Sequence, residues 1–193
     1  MNEAYISDQN YNQLNFTDSP LPIGEYENCT FRNCNFEYAD LSQFKLTNCE
    51  FAECNLSMTK LIGTAFRDVF FKDCKMFGMH FDDCNEFGVS FRFDGCALNN
   101  SVFYKTSVKR TLFKNCKLIE VDFAECDLSH SVFLNCDLSG ATFEKTNLEK
   151  ADLRTSFNYT IHPESNRLKK TKFSLSEIHG LLRSFDIEID KDS

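Results

Sequence analysis

The sequence predicts an all-β fold: a solenoid coiled as a square, closed at its C-terminal end by a short helix. Three observations predict it. An apolar residue recurs every five positions, a small residue recurs two positions before it, and the chain holds 21 phenylalanines but no tryptophan in 193 residues. A period of five matches neither the 3.6 of a helix nor the 2 of a flat strand. It matches a chain that turns a corner every five residues, with one large and one small side chain inside and three outside. Four corners make a turn of about twenty residues, and turns stack at about the 4.8 Å strand spacing. Each coil then buries its apolar surface on its neighbours.

The repeat runs in two blocks. Large residues fall at Tyr26, Phe31, Phe36, Leu41 and every fifth position to Phe81, then from Leu98, Phe103 and Val108 to Leu153. The frame extends back through Leu21, Phe16, Tyr11 and Ile6. The small slot holds Cys, Ser, Thr, Ala, Gly or Val throughout, except at Phe44 and Met79. All ten cysteines occupy it. Cys34, Cys54, Cys74, Cys96, Cys116 and Cys136 are expected on one face, one per coil. A straight ladder does not converge as a tetrahedral zinc site must, and a chain without a secretory leader keeps its thiols reduced. The cysteines therefore read as small buried hydrophobes. Residues twenty apart should stack, so Phe31, Phe51, Phe71, Phe113 and Phe133 form an aromatic ladder. Each buried ring there contributes roughly 1.5–3 kcal/mol.

Between Phe81 and Leu98 the frame slips by two residues. Continuing it would bury Glu86 without a partner, which is costly. Seating Phe87 and Phe93 in two six-residue steps repairs it, with Gly88 and Gly95 supplying backbone freedom. This repair leaves Phe91 in a small slot.

The ends differ from the repeat. Residues 1–24 carry two prolines and a degraded frame, and read as an N-terminal cap and entry segment ahead of the 25–157 solenoid. Residues 158–193 begin with a polar, proline-containing loop, and Thr171–Phe173 returns one repeat-like unit. Ser174 and Glu177 then fit a capping box, and Leu175, Ile178, Leu181, Leu182 and Phe185 form an apolar stripe for a helix. The tail from Asp186 to Asp190 alternates as a short strand.

Units such as "ADLSQ", "CDLSG", "ATFEK", "TNLEK" and "ADLRT" resemble those of the pentapeptide repeat proteins. The resemblance implies a right-handed quadrilateral β-helix. The C-terminal segment resembles the quinolone-resistance (Qnr-like) branch, where it implies an end-to-end homodimer through the C-terminal helix. The resemblance further implies binding to type II topoisomerases, DNA gyrase and topoisomerase IV, as a negatively charged mimic of DNA. In that branch larger projecting loops contribute to quinolone protection. This sequence has room for a two-residue bulge only.

Charge and motifs narrow the function. The net charge of −8 argues against binding nucleic acid directly. No stretch reaches the roughly 18 apolar residues of a membrane span, and the first residues lack a signal peptide's pattern, so a cytoplasmic location is expected. No phosphate loop, nucleophile elbow or zinc spacing is present, so neither enzyme activity nor a cofactor or metal is expected. Asp40, Asp122, Asp127, Asp137 and Asp152, each just before a large residue, read as turn supports. Residues 1–58 hold nine acids against two bases. Glu25, Glu27, Glu37, Asp40, Glu50 and Glu53 are thus the candidate acidic partner-binding surface, fit for a basic DNA-binding saddle. The alternative is a structural or scaffolding repeat protein with an unrelated partner, docked through apolar residues such as Ile62, Phe70, Phe77 and Ile119.

Overall fold

One backbone feature generates the square. The residue two places after most large residues is left-handed, with φ between 51° and 69° at Asn28, Asn33, Asn48, Asp68, Asp73, Asn115, Asn135, Gly63, Gly78, Gly95 and Gly140 among others. Asn, Asp and Gly tolerate that region best, which is why they recur at this position. Each such residue turns the chain through a corner.

The computed structural model describes residues 4–185, 187, 188 and 190. Among the described residues there are eleven short strands: β1 (Ala4–Ser7), β2 (Asn10–Asn12), β3 (Gly24–Glu27), β4 (Thr30–Arg32), β5 (Lys45–Thr47), β6 (Glu50–Ala52), β7 (Ala65–Arg67), β8 (Val69–Lys72), β9 (Phe91–Asp94), β10 (Leu112–Lys114) and β11 (Val132–Leu134). All pairs are parallel. The first face is the sheet β1-β3-β5-β7, and the second is β2-β4-β6-β8-β9-β10-β11. The third and fourth faces are held by single bridges, such as Asn35 to Asn55 and Asp122 to Thr142. Registers step by twenty residues, and by twenty-two across the frame slip, where Phe71 pairs with Phe93.

Two aromatic ladders run inside. On the second face the rings of Tyr11, Phe31, Phe51, Phe71, Phe93, Phe113 and Phe133 stack at 4.7–5.3 Å. On the fourth face Phe81, Phe103, Phe123 and Phe143 stack at 4.4–5.4 Å. The two ladders meet edge-to-face, as at Phe113 and Phe123, 6.1 Å apart at 77°. Offset stacks and edge contacts are the favourable ring geometries.

The slip is resolved differently from the sequence expectation. Phe93 takes its place in the ladder, but Phe87 is 85% exposed. Phe91 does the core work instead: from the small slot its ring lies 5.2 Å from Phe66 and 5.3 Å from Phe81. The chain between Asn85 and Ser90 leaves the wall as a loop, with Gly88 at φ +73°. A large ring entering from the neighbouring slot fills the hole better than the six-residue step could, because the step would need a longer wall.

Residues 4–22 are a full first coil rather than a separate entry segment, since β1 and β2 pair in register with β3 and β4. At the other end the expected α-helix is absent. Two 3-10 turns, Ile178–Leu181 and Arg183–Phe185, replace it, and no side chain caps the first. Gly180 explains the interruption: a Cβ there would lie 2.4 Å from the Tyr159 carbonyl oxygen and 2.7 Å from its ring. The segment thus lies flat on the last coil, and Ile161 N–H donates to Gly180 O at 3.0 Å. The expected tail strand falls partly outside the described residues, and Ile187, Glu188 and Asp190 belong to no strand.

Candidate interaction surface

The small slot has a chemical as well as a steric role. Thr59, Thr64 and Thr146 donate their hydroxyls to Phe36, Leu41 and Phe123 O at 2.7–2.8 Å, in each case the large residue one coil back. Cys54, Cys74, Cys96 and Cys136 donate likewise to Phe31, Phe51, Phe71 and Phe113 O at 3.3 Å. The six-cysteine row therefore runs along one wall as expected, with every thiol free and buried. Burial pushes the Cys49 thiol up to about 11 and the Cys126 thiol up to about 12. Among the described residues no group of three metal-capable side chains converges.

The aspartates before large residues support the turns. Asp40, Asp122, Asp127, Asp137 and Asp152 each accept the backbone N–H two residues on, at 2.8–3.2 Å. Hydrogen bonding through Ser42 holds the Asp40 carboxyl below the usual range, and the Arg154 guanidinium does the same for Asp152.

Outward chemistry is set by the three exposed positions of each unit. The candidate acidic residues do not assemble. Glu25 and Glu27 lie on β3 of the first face, Glu50 on β6 of the second, Glu37 on the third, Asp40 on the fourth, and Glu53 at the corner after β6. Glu27 accepts the Tyr5 hydroxyl, and Glu50 faces Arg32 at 4.0 Å. The acids that do align are on the fourth face: Asp40, Asp82, Asp83, Asp122, Glu125, Glu144 and Glu164, against Lys60, Lys105 and Lys145. Of these only Asp40 was singled out from sequence as part of a binding surface. Folding the chain in steps of twenty finds the rest. Counting acids along the chain does not.

Exposed apolar residues gather at and just before the corner after the third face. Tyr38 is 70% exposed, and Met58 and Phe77 stand on the following coils. Ile62 is exposed on the fourth face, whereas Phe70 and Ile119 are half-buried. Of the C-terminal stripe, Leu175 is 88% exposed and Phe185 is also exposed. Ile178 and Leu182 are half-buried, and Leu181 packs against the core. Phe185 helps to wall a groove of about 660 Å³ with Thr142, Phe143, Glu144, His162 and Glu164, at the C-terminal end of the fourth face.

A square solenoid with a packed interior and charged outer walls is a repeat architecture. The pentapeptide repeat region model matches residues 24–103 and 89–181, so the chain belongs to the pentapeptide repeat family. Its fold is that family's right-handed quadrilateral β-helix. Among solved structures it is similar to a trypsin-treated variant of QnrB1, a plasmid-mediated fluoroquinolone resistance protein. The TM-score is 0.64 at 17% identity, covering 94% of this chain and 99% of that one. It also matches HetL, a pentapeptide repeat protein involved in heterocyst differentiation regulation, from the cyanobacterium Nostoc sp. strain PCC 7120. There the TM-score is 0.43 at 17% identity over 86% of each chain. No curated protein matches the chain.

Proposed function

We propose that this protein is a non-enzymatic docking protein whose fourth face engages the basic DNA-binding groove of a type II topoisomerase and so modulates quinolone action. The observation that carries the reading is the alignment of Asp40, Asp82, Asp83, Asp122, Glu125, Glu144 and Glu164 along one wall. DNA presents charge along its whole length, and a straight wall in which carboxylates outnumber the interleaved lysines is a rigid counterpart to that. The fold shared with QnrB1 supports it. The loop at Asn85–Ser90, tipped by Phe87, is short beside the loops expected of that branch, so the proposal puts binding first and protection second. The cytoplasm, where such a partner works, is the proposed location. The C-terminal segment caps the last coil, and an end-to-end homodimer through Leu175, Ile178, Leu182 and Phe185 is part of the same proposal. Leu182→Asp tests it by halving the size of the assembly in light scattering.

The deciding experiment is a gyrase supercoiling assay in which the protein is titrated with and without a quinolone. Inhibition or protection at micromolar protein, weakened when Asp122, Glu125 and Glu144 are changed to their amides and by added salt, supports the reading. No effect in either arm removes it. A second reading, a scaffold with an unrelated protein partner, rests on the apolar corner of Tyr38, Met58 and Phe77. It predicts that Tyr38→Ser abolishes partner capture while the amide variants do not.

A further inference from the structure

The corner after the first face carries one residue per coil, left-handed on each coil except the fifth, where Ser90 stands. In the N-terminal half these are Asp8, Asn28, Asn48 and Asp68, at φ 52–57°. In the C-terminal half they are Arg110, His130, Lys150 and Lys170, at φ 59–62°. The rows are stacked by the backbone: Arg110 N–H donates to Ser129 O, His130 N–H to Glu149 O and Lys150 N–H to Lys169 O, all at 2.9–3.0 Å. The basic half has one distinguishing feature. Basic side chains follow one another coil upon coil, at about the 4.8 Å strand spacing, with no acid among them and without the alternation of sign seen on the fourth face.

Their neighbours are already neutralised within the chain. Lys109 pairs with Asp127 at 3.3 Å, and Arg167 with Glu149 at 3.4 Å. Arg110, Lys150 and Lys170 have no ion pair among the described residues. At the acidic end Asp8 is exposed, and Asp68 accepts the Ser90 hydroxyl at 3.0 Å. The column therefore reads Asp, Asn, Asn, Asp, then Ser90, then Arg, His, Lys, Lys. Between the halves, on the same side of the molecule, stands the Asn85–Ser90 loop with Phe87 at 85% exposure.

We infer that this corner is the interface of an antiparallel, side-by-side dimer with a second copy of this chain. A two-fold axis across the face at the level of the loop sets Asp8 against Lys170, Asn28 against Lys150, Asn48 against His130, and Asp68 against Arg110 of the other copy. Every opposition joins an acid or an amide to a basic residue, and none joins like charges. The two Phe87 rings meet at the axis. A two-fold interface uses the same patch on both subunits and must be self-complementary, with an apolar anchor at its centre and charges at its rim. This column meets both conditions. The surface is separate from the acidic fourth face and from the C-terminal segment.

The test uses the full chain carrying Leu182→Asp, which removes any contact through the C-terminal segment. Sedimentation equilibrium at about 50 mM salt should show a dimer, and raising salt to about 500 mM should weaken it, since these charges lie at the surface. Reversing the basic half with Arg110→Asp and Lys170→Asp should weaken association by about tenfold or more. Adding Asp68→Arg and Asp8→Lys to that variant should restore it to within about threefold, the signature of a direct pairing. Asp, Arg and Lys already occupy this corner, so all four changes suit its backbone, and circular dichroism checks the fold. Under mild oxidation Phe87→Cys should give a covalent dimer, and Tyr38→Cys, exposed on another corner, should not. A chain that stays monomeric at low salt overturns the inference, and so does a dimer that ignores the charge reversal.

Discussion

Phe71 is the residue on which the frame can be tested most sharply. It is fully buried, and its ring stacks on Phe51 at 5.2 Å and on Phe93 at 5.3 Å, with Phe66 edge-on at 5.9 Å. Truncation to alanine loses roughly 1.5–3 kcal/mol of burial. Two broken stacks add about 0.5–1.5 kcal/mol each. The sum falls close to the roughly 3–5 kcal/mol seen for buried Phe→Ala changes. With a urea m-value of about 2–3 kcal/mol/M, the midpoint should fall by roughly 1–2 M, read by far-ultraviolet circular dichroism. Because each coil touches only its neighbours, the weakened rung should also broaden the transition. Phe87→Ala, measured at about 500 mM salt where the side-by-side contact is weakened, is the internal control. Its ring is exposed, so its effect should stay within about 0.5 kcal/mol. A small effect at Phe71, or a larger one at Phe87, would refute the seating of Phe91 and Phe93 in the core.

Other expectations follow from the same geometry. Denatured without reductant, the chain should titrate ten free thiols, and six or fewer would contradict the reduced ladder. Folded, those thiols should resist a neutral thiol reagent near pH 8, because all ten are buried, and burial holds Cys49 up to about 11 and Cys126 up to about 12. Thr59→Val removes the donor to Phe36 O, bonded at 2.8 Å, and should cost about 1 kcal/mol in a urea melt. Hydrogen bonds to Lys114 and Arg154 hold the Asp94 and Asp152 carboxyls below their usual values. Depressed folded-state values contribute stability above the unfolded pKa of about 3.9. That contribution should vanish as pH falls through the lower folded value, and Asp152→Asn should flatten this part of the acid melt.

The architecture was legible because its signal repeats at every corner. A wrong reading at one position, such as Phe44 in a small slot, is outvoted by its neighbours. In the structure that ring is buried and stacks on Tyr26 at 5.6 Å. Legibility failed where the signal occurs once. Phe87 and Phe91 are the same residue type, and only the space left beside Phe66 and Phe81 decides between them. The C-terminal stripe has good helical spacing, but Gly180 must lie against Tyr159, and that contact is invisible in the local sequence. The acidic residues failed for another reason. Charge was summed along the chain, whereas the solenoid redistributes neighbouring residues onto different walls and joins residues twenty apart.

That redistribution also separates stability from function in this molecule. The two inward positions of each unit are constrained by ring stacking and by the donor that the small slot offers to the coil before it. Ala39 and Ala141 stand in small slots with no side-chain donor to offer. The slot therefore tolerates Cys, Ser, Thr and Ala at modest cost. The outward positions are freer still, since a surface change away from special features shifts stability by only about 0.5 kcal/mol. Unforced patterns there call for an explanation from binding. The fourth-face carboxylates interleave with Lys60, Lys105 and Lys145, which limits repulsion within the wall and leaves the face acidic. The corner running from Arg110 to Lys170 has no such relief inside the monomer, although Asn or Gly would fit its backbone with less strain. Repulsion of that kind persists only where something outside the chain offsets it, which makes this corner, rather than the cysteine row, the most informative surface of the protein.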